Sequence, residues 1–465
     1  MNTQDLLDPK SWAERTFGSV QLHDMRRTRR AVQAATNLAE NPLGSLPAQM
    51  HTWKETKALY RLLDEPDGTF AALMQPHFQQ TREQATGEDV VLLVQDTTDI
   101  DLSHRHKISG VGQIGNERGR GFFVQTVLAV RPQSREVLGC MAQEPFVRIP
   151  APDGEQRYQR RKREERETDV WMRQVQAIGT PESGSMWVHV GDRGADMFPF
   201  FQACRSTQTQ FLVRAAQNRR VQESEEEITY SLTQARSWPS QANRVLELPA
   251  RHGHQKRSAQ LQLAFGQMTL LPPRNEPRAG KDPMTVWVIR VWEERARDAE
   301  EPLEWILVTS VPTTTLEQAW ERVEWYRHRW LVEDYHQCLK SGCRIEERQG
   351  PRVDGLIRLL GLLSPLAVRL LQIRAYARSE PERPANALIE PLMLAVVAQR
   401  SGQSPATMTI GSFWTEVARL GGYLARSHDG PPGWRTIWKG WLSLQTFLEG
   451  VHFAFHLRLE HVGKN

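Results

Sequence analysis

The spacing of apolar and polar positions changes character along the chain. From about residue 5 to 80 it is helical. LHDMRRTRRAVQAATNLAE begins near Asp24, a residue type that caps helices, and carries its arginines on the exposed side. WKETKALYRLLDEP predicts a second helix, stopped by Pro66. Continuous apolar runs follow. GEDVVLLVQDTTDI reads as a central strand buried on both faces and ending at Asp96. GFFVQTVLAV and REVLGCMA read as further strands, with a turn at Pro132. KREERETDVWMRQVQAIG predicts a helix ended by Gly179, SMWVHVGDRGADMF a buried strand ending at Asp192, and FLVRAAQ the next strand.

From about Gln222 to Glu301 the pattern changes again. RVLELPAR, SAQLQLAFGQMTLL and TVWVIRVWEE alternate with period two in places, as an inserted antiparallel β unit would, and EWILVTSVP closes it. A long helix is expected from about Thr315 to Leu339, with Thr314 and Glu317 at capping-box spacing. The remainder reads as helical, with a break near Pro381–Pro384. The class is α/β, with helical segments at both ends.

Length and composition narrow the reading. A chain of 465 residues exceeds one core, so several packed units are expected. With 39% hydrophobic and 25% charged residues it is globular rather than disordered. No apolar run is expected to reach the roughly 18–20 residues of a membrane span, and the opening residues lack the order of a secretory signal. A cytoplasmic protein with no membrane partner is expected. The four cysteines, Cys140, Cys204, Cys338 and Cys343, are too few for a disulfide scaffold and read as reduced thiols.

Net charge is only +4, yet arginines cluster at Arg26, Arg27, Arg29 and Arg30 and again in RYQRRKREER from Arg157 to Arg166. Such clusters can neutralise phosphates, and they can equally be solvated helix faces.

Candidate chemistry rests on carboxylates. Asp96 and Asp192 close their strands, a position that also suits a turn or helix cap. Tyr326, Arg329, Glu333 and Lys340 follow one another at spacings that share one face of a helix. A salt-bridged exposed face would account for charged residues there, but not for this register.

These residues also carry a resemblance. YRHRWLVEDYHQCLK has the pattern Y-x2-R-x3-E-x6-K, Asp96-Thr97-Thr98 gives DTT after one strand, and Asp192 to Asp196 gives DR-x-AD after another. In this order they resemble the bacterial DDE transposases of the insertion-sequence-four type. The likeness extends to WAERTF and RRTRR near the start and to ARLGGYL and GWRTIWKGW near the finish.

The resemblance implies a ribonuclease-H-like catalytic core with an inserted antiparallel β unit, flanked by N-terminal and C-terminal helical domains. The implied boundaries are 1–75 for a helical DNA-end-recognition domain, 76–370 for the core with its insertion at about 222–303, and 371–465 for a helical dimerisation domain. Asp96, Asp192 and Glu333 would hold two Mg²⁺ ions, which Mn²⁺ can replace. Hard cations of this kind favour carboxylate oxygens. Tyr326, Arg329 and Lys340 would grip phosphates beside the cut, and Trp305 would hold the gap left by a flipped base. Trp330 is expected to pack against the catalytic region.

Arg26, Arg27, Arg30, Arg105 and Arg214 match basic DNA-contacting positions, with a plain surface role as the alternative. Trp434, Trp438 and Trp441 form an apolar helix stripe that serves either a core or a dimer contact. The implied partners are double-stranded DNA, as transposon ends and as target, and a second copy of the chain. The implied activity is excision through a 3′-hydroxyl and a hairpin intermediate, followed by joining to target DNA. Two other readings remain at this point: a catalytically silent DNA-binding relative that inhibits a transposase, and a metal-dependent nuclease that cuts without joining.

Overall fold

The computed structural model describes residues 8–115, 118–149, 152, 154–156, 159, 166–223, 227–248, 257–294, 302–426 and 429–456. Most of the basic run from Arg157 to Arg166 lies outside them. Arg166 itself is described and pairs with Glu276 at 2.5 Å.

The chain opens with helices α1 (Pro9–Phe17), α2 (Met25–Glu40), α3 (Trp53–Asp64) and α4 (Phe70–Thr86). Asp24 caps α2 as expected, its carboxylate accepting from the Arg26 amide. Strands β1 (Val90–Asp101), β2 (Gly112–Ile114), β3 (Gly119–Val130) and β4 (Val137–Phe146) come next, then α5 (Val170–Ile178), which ends at Gly179 with φ 71°. β5 (Met186–Gly191), α6 (Phe198–Ser206) and β6 (Gln210–Arg214) complete the first half of the sheet.

The insertion contains β7 (Arg220–Gln222), β8 (Ile228–Tyr230), α7 (Ser231–Ser237), β9 (Ala242–Leu248), β10 (Arg257–Leu270) and β11 (Met284–Glu293), and β12 (Glu304–Thr309) leads out of it. Helices α8 (Leu316–Arg327), α9 (Trp330–Gln337), α10 (Val353–Ser379), α11 (Pro391–Ser401), α12 (Ile410–Leu420) and α13 (Trp434–His456) finish the described chain.

Two compact units result, each assembled from separated stretches of sequence. One comprises Phe78–Ser103 and Val111–Glu333. The other comprises Met1–His77, His104–Gly110 and Asp334–Asn465.

The first unit is built on one sheet of twelve strands in the order β2-β3-β1-β5-β6-β12-β11-β10-β7-β8, with β4 paired to β3 and β9 to β10. β1, β5 and β6 run parallel, and the other pairings are antiparallel. This is the ribonuclease-H-like core expected, and the inserted strands extend the same sheet through β12. Helices α5 and α6 cover it with an aromatic core in which Phe201 stacks on Phe211 at 4.3 Å and Trp171 meets Phe200 edge-on. The central strands are apolar on both faces because both are buried, as Leu92, Leu93, Trp187 and Val188 illustrate.

The second unit is helical. Ile389, Phe413, Val417 and Leu444 form a core among α11, α12 and α13. The α12–α13 crossing is close because Gly440 faces Val417: a Cβ at Gly440 would lie 1.7 Å from the Val417 carbonyl oxygen. Trp441 stacks on Trp414 at 5.4 Å, whereas the side chains of Trp434 and Trp438 lie outside the described set.

Three expectations need correction. Asp96 does not end its strand, because β1 continues to Asp101 by pairing with β3. The long helix is not continuous and its cap sits one residue later, with Thr315 accepting from the Gln318 amide. The His328 ring lies 2.7 Å from the Glu324 carbonyl oxygen and 2.9 Å from that of Pro132. At this point the His328 and Arg329 amides turn to the carbonyls three residues back. α9 then runs into a π turn, Cys338–Gly342, closed by Cys343 N–H to Cys338 O at 2.7 Å. Finally, α10 is apolar enough over Val353–Tyr376 to meet the length and composition of a membrane span, with mean hydropathy 1.7. It is nonetheless 89% buried in the protein, as a core helix is.

Candidate active site

The first unit brings Asp96, Asp192, Glu333, Tyr326, Arg329, Trp305 and Arg214 together. Asp96 projects from the middle of β1, opposite Thr126 of β3. Its neighbour β5 pairs with β1 only as far as Val94↔Val190, so both chains are released from each other just before their aspartates. Asp192 follows the end of β5 and caps the short turn Arg193–Ala195 by accepting from the Gly194 amide at 2.7 Å.

Arg329 links strand to helix. Its guanidinium lies 3.3 Å from the Asp96 carboxylate and 2.7 Å from that of Glu333, one turn along. Burial works against its charge, but Glu333, Tyr326 and Asp96 outweigh that and raise its pKa. Asp96 is pushed up to about 7, first by burial and then by the charge of Asp192, with Glu333 adding to the effect. The Thr97 amide and Arg329 pull the other way. The charges of Asp192 and Glu333 thus both bear on the half-sheltered carboxyl of Asp96.

Two aromatic rings border this cluster. Trp305, half-buried on β12, meets Tyr326 of α8 edge-on at 5.3 Å and 68°. Tyr326 is buried, which raises its pKa. Trp330 is 40% exposed with the Arg329 guanidinium 5.1 Å from its ring, so it does not pack inward as expected. Arg214 donates to the Glu304 carbonyl at 2.9 Å, and burial lowers its pKa beside Arg193.

The other expected positions lie in the second unit. Lys340 sits in the π turn and pairs with Glu346 at 3.5 Å. Arg105 donates to the main-chain carbonyls of Arg348 and Gly350. Arg26 pairs with Asp24 at 2.9 Å. Arg27 is held by Glu65 at 2.6 Å and by Asp67 at 2.7 Å. Arg30 is exposed. A cavity of about 1130 Å³ in this unit, lined by Arg369, Ile373, Met393, Trp414 and Trp441 among others, contains none of the catalytic candidates.

The second aspartate of DR-x-AD has a separate task. Asp196 is buried and accepts from the amides of Ala216 and Gln217, each at 2.7 Å, and from Arg219 at 2.7 Å. It thereby fixes the loop that leaves β6 after Arg214. Sequence reading assigned no role to it. A buried polar chain through Gln95, Gln125 and His189 was missed as well, although polar residues inside the apolar runs VVLLVQD, FFVQTVLAV and MWVHVG signal it.

The donor set suits a hard divalent cation: all carboxylate, with mutual repulsion to relieve. Among the described residues no three His, Cys, Asp or Glu side chains converge on one point in this arrangement, and Arg329 bridges Asp96 and Glu333.

A mixed sheet with flanking helices, gathering acidic side chains where its central parallel ladder stops, is consistent with a ribonuclease-H-like core. Residues 9–67 match the transposase DNA-binding family, and residues 188–364 match the transposase DDE domain. The chain therefore has the DNA-binding domain and the DDE domain of a DNA transposase, a class that depends on divalent metal for cleavage and joining. The second match includes Asp192, Glu333 and Lys340, while Asp96 precedes it and meets Asp192 and Glu333 through the fold.

Proposed function

We propose that this protein is a cut-and-paste transposase of the insertion-sequence-four type, similar in its motifs to the Tn-five transposase. It binds terminal inverted repeats, excises the element through a hairpin and joins it to target DNA. The observation that carries this reading is the coupling of Asp96, Asp192 and Glu333, with Arg329 between two of them and the Trp305–Tyr326 pair alongside.

Asp96, Asp192 and Glu333 would hold two Mg²⁺ ions, or Mn²⁺ in their place. Bound there, the ions would supply charge stabilisation for the attacking and leaving oxygens. The remaining work falls to side chains. Arg329 offers a planar fork to a phosphate, Lys340 a point charge and Tyr326 a hydroxyl donor. Trp305 would hold the gap left by a flipped base.

The sequence of reactions is four phosphoryl transfers. Water cuts one P–O bond and releases a 3′-hydroxyl. That hydroxyl attacks the opposite strand, displacing the flanking DNA and closing a hairpin. Water reopens the hairpin, and the 3′-hydroxyl then attacks target DNA. Arg26, Arg27, Arg30, Arg105 and Arg214 are the proposed further DNA contacts, and residues 1–75 the end-recognition domain. A homodimer would bridge two ends through residues 371–465. Such a reaction belongs in the bacterial cytoplasm, at the nucleoid.

The test uses a labelled fragment carrying one end of the DNA that flanks this gene, incubated with protein and Mg²⁺ and run on a denaturing gel. A hairpin product is expected from wild type and not from Asp96→Ala or Glu333→Ala. Nicks without hairpins would make it a plain nuclease. Binding on a native gel without any cleavage would make it a silent relative.

A further inference from the structure

Opposite the acidic face of the sheet lies a chain of buried polar side chains. Strand alternation puts Gln95 and Thr97 on the face away from Asp96. The Thr97 hydroxyl donates to Gln125 Oε1 across the β1–β3 pair. Gln125 Nε2 donates to Gln95 Oε1 at 3.2 Å, and Gln95 Nε2 lies 3.1 Å from His189 Nδ1 on β5. Gln95, Gln125 and His189 are fully buried. The amide must donate to Nδ1, which places the imidazole proton on Nε2. Nε2 has no partner among the described residues, and Phe200 presents its ring at 6.2 Å. Burial holds His189 neutral, its pKa pushed down to about 3.

This chain is energetically unfavourable as mere filling. Apolar side chains of similar volume would occupy the space with no desolvation cost and no orphaned nitrogen. Its position suggests what it does. The β1–β5 backbone ladder stops at Val94↔Val190, and among the described residues no backbone pair joins the two strands beyond it. β1 continues toward Asp101 on β3 alone, and β5 ends at Gly191 paired with Val213 of β6. Asp96 and Asp192 lie just past this point, and their charges repel. The Gln95–His189 bond crosses between the strands where the ladder gives out.

We infer that the Thr97–Gln125–Gln95–His189 chain is a positioning device that ties β1 to β5 where their ladder stops and so sets the separation of Asp96 and Asp192. Its bearing on metal affinity rests on the metal-binding reading given above. The tie itself exists in the metal-free protein and can be measured there.

The experiment compares Gln95→Met, His189→Phe and His189→Gln with wild type. A Gln143→Met control breaks another buried polar contact, to Thr126 at 3.0 Å on the β3–β4 side. Amide hydrogen exchange is followed by mass spectrometry without metal, in peptides covering residues 94–98 and 190–193. Exchange there should rise about tenfold in Gln95→Met and His189→Phe, the factor expected of one lost buried hydrogen bond. It should stay near wild type in Gln143→Met, and His189→Gln, which keeps an acceptor facing Gln95, should restore most of the protection.

Calorimetric titration with Mn²⁺ alone should show dissociation constants raised about tenfold in the first two variants, as for residues that orient metal ligands. If Gln95→Met and His189→Phe loosen these peptides no more than Gln143→Met does, or if His189→Gln behaves like His189→Phe, the inference is wrong. If the peptides loosen as expected but wild type takes up no Mn²⁺, the positioning role stands and the metal reading fails.

Discussion

Arg329 and Asp96 are 233 positions apart in sequence and 3.3 Å apart in the fold. The same guanidinium holds Glu333 at 2.7 Å. One cation thus spans a strand carboxylate and a helix carboxylate, and this makes Arg329 the residue whose removal disturbs the site most directly. Arg329→Ala should lower strand cleavage by at least about 100-fold, in line with truncation of a partly buried charge pair. Arg329→Lys should recover little, because a single ammonium cannot bridge both carboxylates with a planar fork. A cleavage time course on one labelled end measures both, and full activity in either variant would remove Arg329 from the machinery.

Asp96 makes the stability of the metal-free protein pH-dependent. Its folded pKa, about 7, lies above the ordinary 3.8. Between those values the folded state holds a proton that the unfolded state has lost, so this group's contribution is fully present below 3.8 and disappears as pH rises through 7. In EDTA, melting temperature should fall between pH 5 and 8 through this term, and Asp96→Asn should flatten the slope. Scanning calorimetry across that range decides it, and identical slopes for the two proteins would contradict the assigned environment. Added Mg²⁺ should reduce the slope in wild type, because metal ligation requires the deprotonated carboxylate.

Trp305 and Tyr326 should separate cutting from hairpin formation. Their edge-on contact at 5.3 Å fixes both rings beside the carboxylates. Trp305→Ala should leave the first nick near wild-type rate and slow hairpin closure by about tenfold or more, given roughly 1–3 kcal/mol for an aromatic contact with a base. Trp305→Phe should retain most of the closure rate. The ratio of nicked to hairpin product on a denaturing gel gives the answer; a parallel loss of both would mean a purely structural Trp305.

Two neighbouring arginines of α2 should behave differently. Arg27 is engaged by Glu65 and Asp67, whereas Arg30 is exposed. Arg27→Ala should destabilise the protein by about 1–2 kcal/mol through the lost charged hydrogen bonds. Arg30→Ala should leave stability unchanged but weaken end binding and reduce the salt slope by about 1. Thermal melts and a salt series of native gels distinguish the two.

Asp192 and Asp196 should likewise part company. Asp196→Ala leaves Arg219 and two loop amides without their partner in a buried position and should cost about 3–5 kcal/mol of stability. Asp192→Ala should cost little stability and abolish cleavage. Chemical denaturation beside the cleavage assay tests the pair, and an Asp196→Ala protein of wild-type stability would refute the clamp.

Much of this was legible before any coordinates. Val91 to Val94 are apolar without alternation because both faces of this central strand are buried, and a continuous apolar run states that directly. The Asp24 cap and the stop at Gly179 follow from local backbone chemistry. The ordered motifs around Asp96, Asp192 and Glu333 single out three carboxylates that the fold brings near one another. What a linear pattern cannot encode is where a partner strand ends. β1 runs past Asp96 because β3 keeps pairing with it, and that depends on residues about 30 positions away.

The break at His328 has the same origin. Helical spacing from Thr315 onward is uninterrupted, yet the helix breaks at His328, whose buried imidazole lies against the Pro132 carbonyl brought in by the turn after β3. Local propensity and hydrophobic period therefore determined which elements form and which residue types could do the chemistry. Tertiary contact alone decided that Arg27 is taken by Glu65 and Asp67, that Asp196 clamps a loop, and that a single guanidinium lies between Asp96 and Glu333. Those are long-range electrostatic and hydrogen-bond choices, and their partners exist as neighbours only once the chain has folded.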